Sequence, residues 1–493
     1  MSVFGVNGGV PLGYAADNTE GPPPHFNKPI RYVGDRHICV VGPNGSGKSM
    51  RLALPFLVEN TGWSVAVCDP KGEFRKLTSA HRQNAGNLII TLDPFGKNSD
   101  GFNPIATLPD NDDLPDDALE LAEAVIRTDA KDPHWSQAAQ EFVAALILYV
   151  RLVIPGGSFD DIRELMSRDD KGIRMLVLGG DNTDPRQLEL WEETERDERD
   201  PKYFPPVRHR GKLYPGMLAA SIIHNCPEIE HKAARFGGIT PEDREMHSVL
   251  STALTQTRWL DSRHIRRDLA KNPFDFSIMR ERPVTVFIVL PPRRLATHSS
   301  WIRLILASIV QKLMGEAKHG KVPICLLCDE FAALAGGIAG RGGDGFPAIS
   351  NQMAVFRQYG IKLFSIWQDL AQARGIFGDA FETFLANAGV FQVFAPQDVV
   401  TAEYVSKRTG QTTRQVLSRS QSLSPNPSAP MGVSISDTAS LGVIPVPLLL
   451  PQDVRNLDKG YSLIFSDQAK GPVRSFVPWP GDLAAFRHIM ALA

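Results

Sequence analysis

A glycine-rich segment that ends in lysine and serine is the strongest chemical signal in the chain. Residues 42–49 read GPNGSGKS and follow the apolar run HICVV at 37–41. Glycines let backbone N–H groups curl around phosphate oxygens, and the start of a helix favours negative charge. The pattern G-x-x-x-x-G-K-[ST] after a strand therefore predicts a phosphate-binding loop for ATP and Mg²⁺. Its predicted contributors are Gly42, Pro43, Asn44, Gly45, Ser46, Gly47, Lys48 and Ser49.

Within this loop, Lys48 is expected to reach the β- and γ-phosphates and Ser49 to ligate Mg²⁺. The second half of such a site is a carboxylate on a neighbouring strand. Asp329 and Glu330 follow the apolar run ICLLC, where open parallel sheets bind their ligands. Asp329 is the predicted Mg²⁺ partner and Glu330 the group that polarises the attacking water. The alternatives are a glycine-rich turn without a ligand and a DE pair that only caps a helix.

Two further polar residues flank the apolar run at 361–367. Gln368 follows that run and is predicted to sense the γ-phosphate or orient water, although a surface glutamine remains an alternative. Arg357 precedes it and is a candidate arginine finger for a neighbouring subunit, the alternative being a solvated cation. Asp69, Lys71 and Glu73 in the segment CDPKGEF predict a ligand or subunit contact, or for Asp69 a helix cap.

Buried strands must carry these groups. Continuous apolar runs alternate with helical stretches from residue 36 to 95 and again from 284 to 396, which is typical of parallel strands covered on both faces. The predicted fold class is α/β, with a P-loop nucleotide-binding domain, a mostly parallel central sheet and an inserted all-α domain. The predicted boundaries are an N-terminal arm at 1–30, the nucleotide-binding domain at 31–108 and 272–493, and the all-α domain at 109–271. Residues 181–215 are expected to be a solvated excursion, and 411–440 a mobile loop because they are rich in Ser, Thr, Gln and Pro.

Composition narrows the class of protein. The 493 residues carry a formal net charge of -2, so the chain lacks the basic character of a protein that coats nucleic acid. Five cysteines in a chain of this size argue against a disulfide framework. No run of 18 apolar residues predicts a transmembrane helix, and we expect a cytoplasmic protein.

Taken in order, these segments resemble the coupling proteins of type IV secretion and bacterial conjugation. The resemblance is carried by GPNGSGKS, SVAVCDPKGE, LLCDEFAAL, FSIWQDLAQARGIFG and PLLLPQDVRNL, and it spans about residues 36–480. It implies a hexameric RecA-like ATPase whose all-α domain receives substrate, and it places Arg357 at the family's arginine finger. Typical members begin with transmembrane helices, which this sequence does not show. We expect the protein to dock at the inner membrane through partners, and the alternative is that an anchor was removed.

The leading hypothesis is therefore an ATP-driven motor that passes substrates to a type IV secretion channel. Its expected partners are other copies in a homo-hexamer, channel components, a relaxase–DNA complex or protein effectors, and single- or double-stranded DNA. The alternatives are a DNA translocase of the septal-pump type and a substrate receptor whose ATP site serves assembly. The sequence leaves open whether the cargo is DNA, protein or both.

Overall fold

The computed structural model describes residues 8–16, 28–128, 132–167, 226–229, 231, 244–271, 274–315, 320–334, 346–378, 381–425 and 433–492. The predicted excursion at 181–215 lies outside these residues. Within them, no helix is both long and apolar enough to cross a membrane.

An eleven-stranded sheet organises the chain, with the strand order β2-β1-β13-β12-β9-β3-β8-β7-β4-β6-β5. Seven neighbouring strands, from β9 to β5, run parallel, and the four at the other end pair antiparallel. The predicted mostly parallel α/β fold is therefore confirmed. The strands of this sheet are β1 (Val10–Ala15), β2 (Pro29–Tyr32), β3 (His37–Val41), β4 (Ser64–Cys68), β5 (Leu88–Leu92), β6 (Val284–Ile288), β7 (Ile324–Cys328), β8 (Ile361–Trp367), β9 (Ala388–Phe394), β12 (Tyr461–Ser466) and β13 (Val473–Phe476).

Successive residues of a strand point to opposite sides of the sheet, and in the buried strands the residues on both sides are mostly apolar. Helices therefore cover both faces of the sheet. In β3, Ile38 and Val40 join one apolar cluster, and Cys39 and Val41 join the other. The helices are α1 (Leu54–Glu59), α2 (Glu73–Asn84), α3 (Leu114–Val125), α4 (Pro133–Val153), α5 (Phe159–Ser167), α6 (Arg244–Gln256), α7 (Arg263–Leu269), α8 (Pro292–Gly315), α9 (Phe331–Leu334), α10 (Pro347–Ser350), α11 (Met353–Phe356), α12 (Leu370–Phe377), α13 (Phe381–Ala386), α14 (Val399–Arg408), α15 (Pro451–Arg455) and α16 (Arg487–Met490).

The described part of the predicted all-α segment is helical, from α3 to α7. These helices pack on α8 and on each other, and their apolar residues belong to the same buried cluster as one face of the sheet. In the part of the chain that is described, the segment is therefore a helical layer on the α/β sheet. The boundaries 31–108, 109–271 and 272–493 stay a proposal.

The predicted N-terminal arm differs from the structure, because β1 and the start of β2 lie within residues 1–30. Val10 and Leu12 alternate with half-buried residues and are themselves buried, the period of a strand with one covered face. β1 pairs antiparallel with β13, a strand more than 450 residues later in the chain. The register shifts between Pro11 and Gly13, and a side chain at Gly13 (φ +117°) would meet the Phe476 carbonyl at 2.8 Å.

The predicted mobile loop is also different. Residues Gln411–Pro425 (β10) and Val433–Pro447 (β11) form an antiparallel hairpin that makes a two-stranded sheet of its own. Its register brings Leu417 opposite Leu441, and both are more than half exposed. Thr is common in strands, and a polar composition does not exclude a hairpin with exposed faces, which is why composition misled the prediction here.

Candidate nucleotide-binding site

Backbone conformation makes residues 42–49 a cradle between β3 and α1. Gly45 and Gly47 have φ values of +81° and +80°, which residues with a Cβ atom rarely adopt. Ser49 opens a π-helical turn, Ser49–Ala53, that leads directly into α1. The Ser46 hydroxyl is buried and has no hydrogen-bond partner within the described chain. A buried polar atom without a partner fits a ligand oxygen arriving in the loop.

The two predicted halves of the site meet at the carboxyl edge of the sheet. Ser49 Oγ donates a hydrogen bond to Asp329 Oδ1 at 2.9 Å, although 280 residues separate them in the chain. Asp329 follows β7, which is separated from β3 by β8 alone. A hydroxyl and a carboxylate at this distance are the hard oxygen donors that Mg²⁺ prefers, so the residues present fit the predicted ion.

Glu330 lines the same cavity as Lys48 and Asp329. Its φ of 55° lies in the left-handed region, where a residue with a side chain is strained. Its N–H donates to Asp329 Oδ1 at 3.2 Å. The tight turn after β7 thus places two consecutive carboxylates at the phosphate end of the cavity, and strain of this kind is concentrated at functional sites.

Burial and charge oppose each other at this site. Burial lowers the pKa of Lys48, while Asp329 and Glu330 raise it. Burial also raises the pKa of Asp329, and the hydrogen bond from Ser49 and the charge of Lys48 lower it. The cation of Lys48 attracts both carboxylates, whereas the charge of Glu330 raises the pKa of Asp329. A phosphate beside Lys48 and a divalent cation beside the carboxylates would balance these charges.

Gln368 stands at the carboxyl end of β8, between the P-loop strand and the strand of Asp329. Its side-chain oxygen accepts a hydrogen bond from Gln372 Nε2 at 3.3 Å. It is half-buried and does not line the cavity that holds Lys48 and Asp329. The strand order agrees with a sensing position, and direct contact with a phosphate remains a prediction.

Residues 69–73, which follow β4, show both a contact with the cavity and a helix cap, the two alternatives that the sequence left open. Lys71 and Glu73 line the cavity. Asp69 is buried and accepts a hydrogen bond from the Arg75 N–H at 2.8 Å, the contact of a residue that caps a helix start. Burial raises the pKa of Asp69 to about 7. Asp69 therefore shapes the turn, and Lys71 and Glu73 face the cavity.

Arg357 lies at the opposite edge of the sheet from the P-loop of its own chain. It belongs to the turn Arg357–Tyr359, immediately before β8 begins. Its Nε contacts Asp35 Oδ2 at 2.5 Å, and both side chains are nearly 60% exposed. The structure thus separates Arg357 from Lys48, Ser49 and Asp329.

Beside Met50, four residues that no sequence motif indicated line the cavity, whose volume is about 630 Å³. They are Arg51, Lys459, Trp479 and Asp482. Arg51 follows Ser49 by two residues, and the other three come from the last 35 residues of the chain. The pairing of β12 with β9 and β13 brings Lys459, Trp479 and Asp482 here, so spacing along the sequence contains no signal for these three.

Comparisons with known proteins agree with this arrangement. Residues 17–475 match the model of the family described as "Type IV secretory system Conjugative DNA transfer". The chain is 25% identical over 439 residues to the conjugal transfer protein TraG of Rhizobium radiobacter, covering 88% of this chain and 60% of that protein. It is 24% identical over 438 residues to the protein VirD4 of Agrobacterium fabrum, covering 87% and 56%. The chain thus spans a little over half the length of these curated relatives.

Solved structures give the same fold. The bacterial conjugative coupling protein TrwBdeltaN70, in its trigonal form with sulphate, aligns with a TM-score of 0.60 at 13% identity and covers 92% of this chain and 88% of that one. The plasmid coupling protein TrwB in complex with ADP and Mg²⁺ aligns with a TM-score of 0.56 at 14% identity, covering 92% and 88%. These likenesses establish a RecA-like NTPase fold. With the family match over most of its length, the chain belongs to the conjugative DNA-transfer coupling proteins of type IV secretion systems.

Proposed function

We propose that this protein is an ATP-hydrolysing coupling protein that recruits DNA, protein substrates or both and passes them to a type IV secretion channel. The observation that carries the proposal is the contact between Ser49 and Asp329 inside a cavity shared with Lys48 and Glu330. The proposal is also supported by TrwB, which has this fold and whose structures include one with ADP and Mg²⁺.

In this proposal the P-loop binds the triphosphate of ATP. Backbone N–H groups of the loop surround the phosphates, Lys48 neutralises their charge, and Ser49 and Asp329 hold Mg²⁺. A bound Mg²⁺ supplies charge stabilisation at the transferring phosphoryl group. Glu330 takes a proton from the attacking water, and its strained backbone holds the carboxylate at the phosphate end of the cavity.

The remaining predicted residues act around this centre. Gln368 responds to the state of the nucleotide from the strand between the two halves of the site. Arg357 completes the site of a neighbouring subunit in a homo-hexamer, as an arginine finger does. The helical layer formed by α3–α7 receives substrate, and the protein docks at the inner membrane through its channel partners.

Two variants test the proposal. Lys48→Ala should abolish ATP binding and substrate transfer, because the phosphate charge is left unpaired. Glu330→Gln should keep binding within a fewfold and lower hydrolysis by at least about 100-fold, the usual contribution of a general base. Binding is measured by calorimetry, hydrolysis by phosphate release, and transfer in a mating assay.

The outcomes separate the alternatives. A Glu330→Gln variant that transfers substrate at the wild-type rate would show that the ATP site serves assembly. Processive movement of the wild-type protein on duplex DNA without a channel would favour a septal-pump translocase. Full hydrolysis by Lys48→Ala would refute the assignment of the site.

A further inference from the structure

The nucleotide cavity has a second end that the phosphate chemistry does not use. Asp329 and Glu330 mark the end where the γ-phosphate would be cleaved. Arg51, in the helical turn Ser49–Ala53, lines the cavity together with Trp479 and Asp482 of the C-terminal segment. Because the triphosphate lies along the P-loop, a nucleotide with its γ-phosphate at the carboxylates has its ribose and base at this second end.

The second end is built from the C-terminal segment 477–482, which is fixed to the P-loop helix. Arg51 donates a hydrogen bond to the Val477 carbonyl, and the Val477 N–H donates to the Gly460 carbonyl at 2.7 Å. The Asp482 N–H donates to the Trp479 carbonyl at 2.9 Å, which closes a helical turn over residues 480–482. The indole of Trp479 is therefore held by an ordered turn.

Trp479 is 37% exposed, although it belongs to this ordered turn and lines the cavity. Its indole is thus partly accessible from the cavity, and nucleobases stack on aromatic side chains of this kind. The Arg51 guanidinium carbon lies 5.7 Å from the ring centroid, within the range of a cation–π contact.

Arg51 supplies an independent indication of a ligand. The residue is 8% exposed, and its Nε is buried without a hydrogen-bond partner in the described chain. Burial lowers the pKa of Arg51 and the charge of Asp482 raises it. A buried guanidinium N–H without an acceptor, beside a partly accessible indole, fits an oxygen or nitrogen of a bound nucleoside.

From this geometry we infer that Trp479 is the platform on which the nucleotide base stacks, so the C-terminal segment 477–482 forms half of the nucleotide site. This rests on the proposed function, because it assigns the base end of the same ATP site. The ligand class is nucleoside triphosphates, with purines favoured over pyrimidines since a purine covers more of the indole. Stacking does not read hydrogen-bond patterns, so the platform accepts adenine and guanine alike.

The test compares a ligand with a base to one without. Binding of Mg²⁺–ATPγS and of Mg²⁺–tripolyphosphate is measured by calorimetry for the wild type, Trp479→Ala and Trp479→Phe. Trp479→Ala should weaken ATPγS by about 10- to 100-fold, the range that loss of one stacking contact gives. Tripolyphosphate should bind within twofold of wild type, and Trp479→Phe should restore most of the ATPγS affinity.

Two controls make the result decisive. Trp135→Ala removes a partly exposed tryptophan of α4 that does not line the cavity, and it should change neither affinity. Lys48→Ala should lose both ligands, and if it keeps both, the phosphate site itself is wrong. The inference is overturned if Trp479→Ala binds ATPγS like the wild type, or if it weakens tripolyphosphate equally. Quenching of tryptophan fluorescence by ATPγS in the wild type but not in Trp479→Phe gives a second readout that does not depend on the stability of the alanine variant.

Discussion

Replacement of Arg357 by alanine gives the sharpest test of whether the proposed ATPase works as a ring. β8 has seven residues, and a strand rises about 3.3 Å per residue, so Arg357 and the P-loop edge are separated by roughly 20 Å. That distance exceeds the reach of an arginine side chain. Arg357 therefore cannot act on the nucleotide of its own chain, and any catalytic role requires a neighbouring subunit.

The free energies involved favour a role of Arg357 at the site of a neighbouring subunit. Arg357 now pairs with Asp35 at 2.5 Å, and both side chains are nearly 60% exposed. An exposed ion pair of this kind is worth at most about 1 kcal/mol. An arginine finger accelerates hydrolysis by about 10³–10⁵, or roughly 4–7 kcal/mol of transition-state stabilisation. Releasing Arg357 from Asp35 thus costs far less than the transition-state contact provides.

The assay measures phosphate release at protein concentrations where rings form. Arg357→Ala should lower the hydrolysis rate at least 100-fold and leave the ATPγS affinity unchanged, because the P-loop is intact. Arg357→Lys should restore little, since a lysine lacks the planar fork of donors. Asp35→Ala should hydrolyse ATP no more slowly than the wild type.

Mixing variants identifies a contribution in trans. Arg357→Ala has an intact P-loop and Lys48→Ala has an intact arginine, so an equimolar mixture creates some complete sites. With random order in a head-to-tail ring, about one quarter of the interfaces would be complete. An Arg357→Ala ring as fast as the wild type, or a mixture as inactive as its two components, would refute the reasoning.

Two further predictions concern stability. Lys362 is buried, donates to the Gly34 carbonyl, and has a pKa lowered by burial from 10.5 to about 8. Between pH 8 and 10.5 the unfolded state binds more protons at this lysine than the folded state does. The unfolding free energy of the wild type should therefore rise with pH in that window, by up to about 3 kcal/mol relative to Lys362→Met. Urea unfolding at pH 7.5 and 10.5 measures the difference, and an unchanged or falling difference would contradict the assigned burial effect. Replacing residues 414–444 by a short Gly-Ser turn should change the unfolding free energy by less than about 1 kcal/mol, because this hairpin forms a separate exposed sheet; a larger loss would mean that the hairpin supports the core.

The parts of the fold that could be predicted are the strands whose two faces are both buried. β3, β4, β7 and β8 read as continuous apolar runs, because both faces of a parallel sheet are covered. Because the carboxyl ends of parallel strands lie at the same edge of the sheet, the polar residues that follow these strands were expected to meet there. The contact between Ser49 and Asp329 confirms this.

The parts that were predicted wrongly depend on pairing rather than on local pattern. β1 is short and buries one face only, and its neighbour β13 lies near the other end of the chain. None of the described side chains of β10 and β11 is buried, so these strands lack the alternation that identifies a strand. β1 depends on a partner that no local window of sequence contains, whereas β10 and β11 are neighbours in the chain and lack only the pattern.

The same non-local pairing explains why the base end of the cavity escaped the motifs. The antiparallel strands β12 and β13 extend the sheet past β9 and return the C-terminal segment to the helix that begins at Ser49. A motif can describe the P-loop because one short segment makes all of its phosphate contacts. A base platform can be supplied by any segment that the topology brings within reach, and here the topology brings Trp479, the inferred platform, to the cavity of Lys48 and Asp329. The antiparallel end of this sheet thus helps to line the candidate nucleotide site together with the parallel strands that position Ser49 and Asp329.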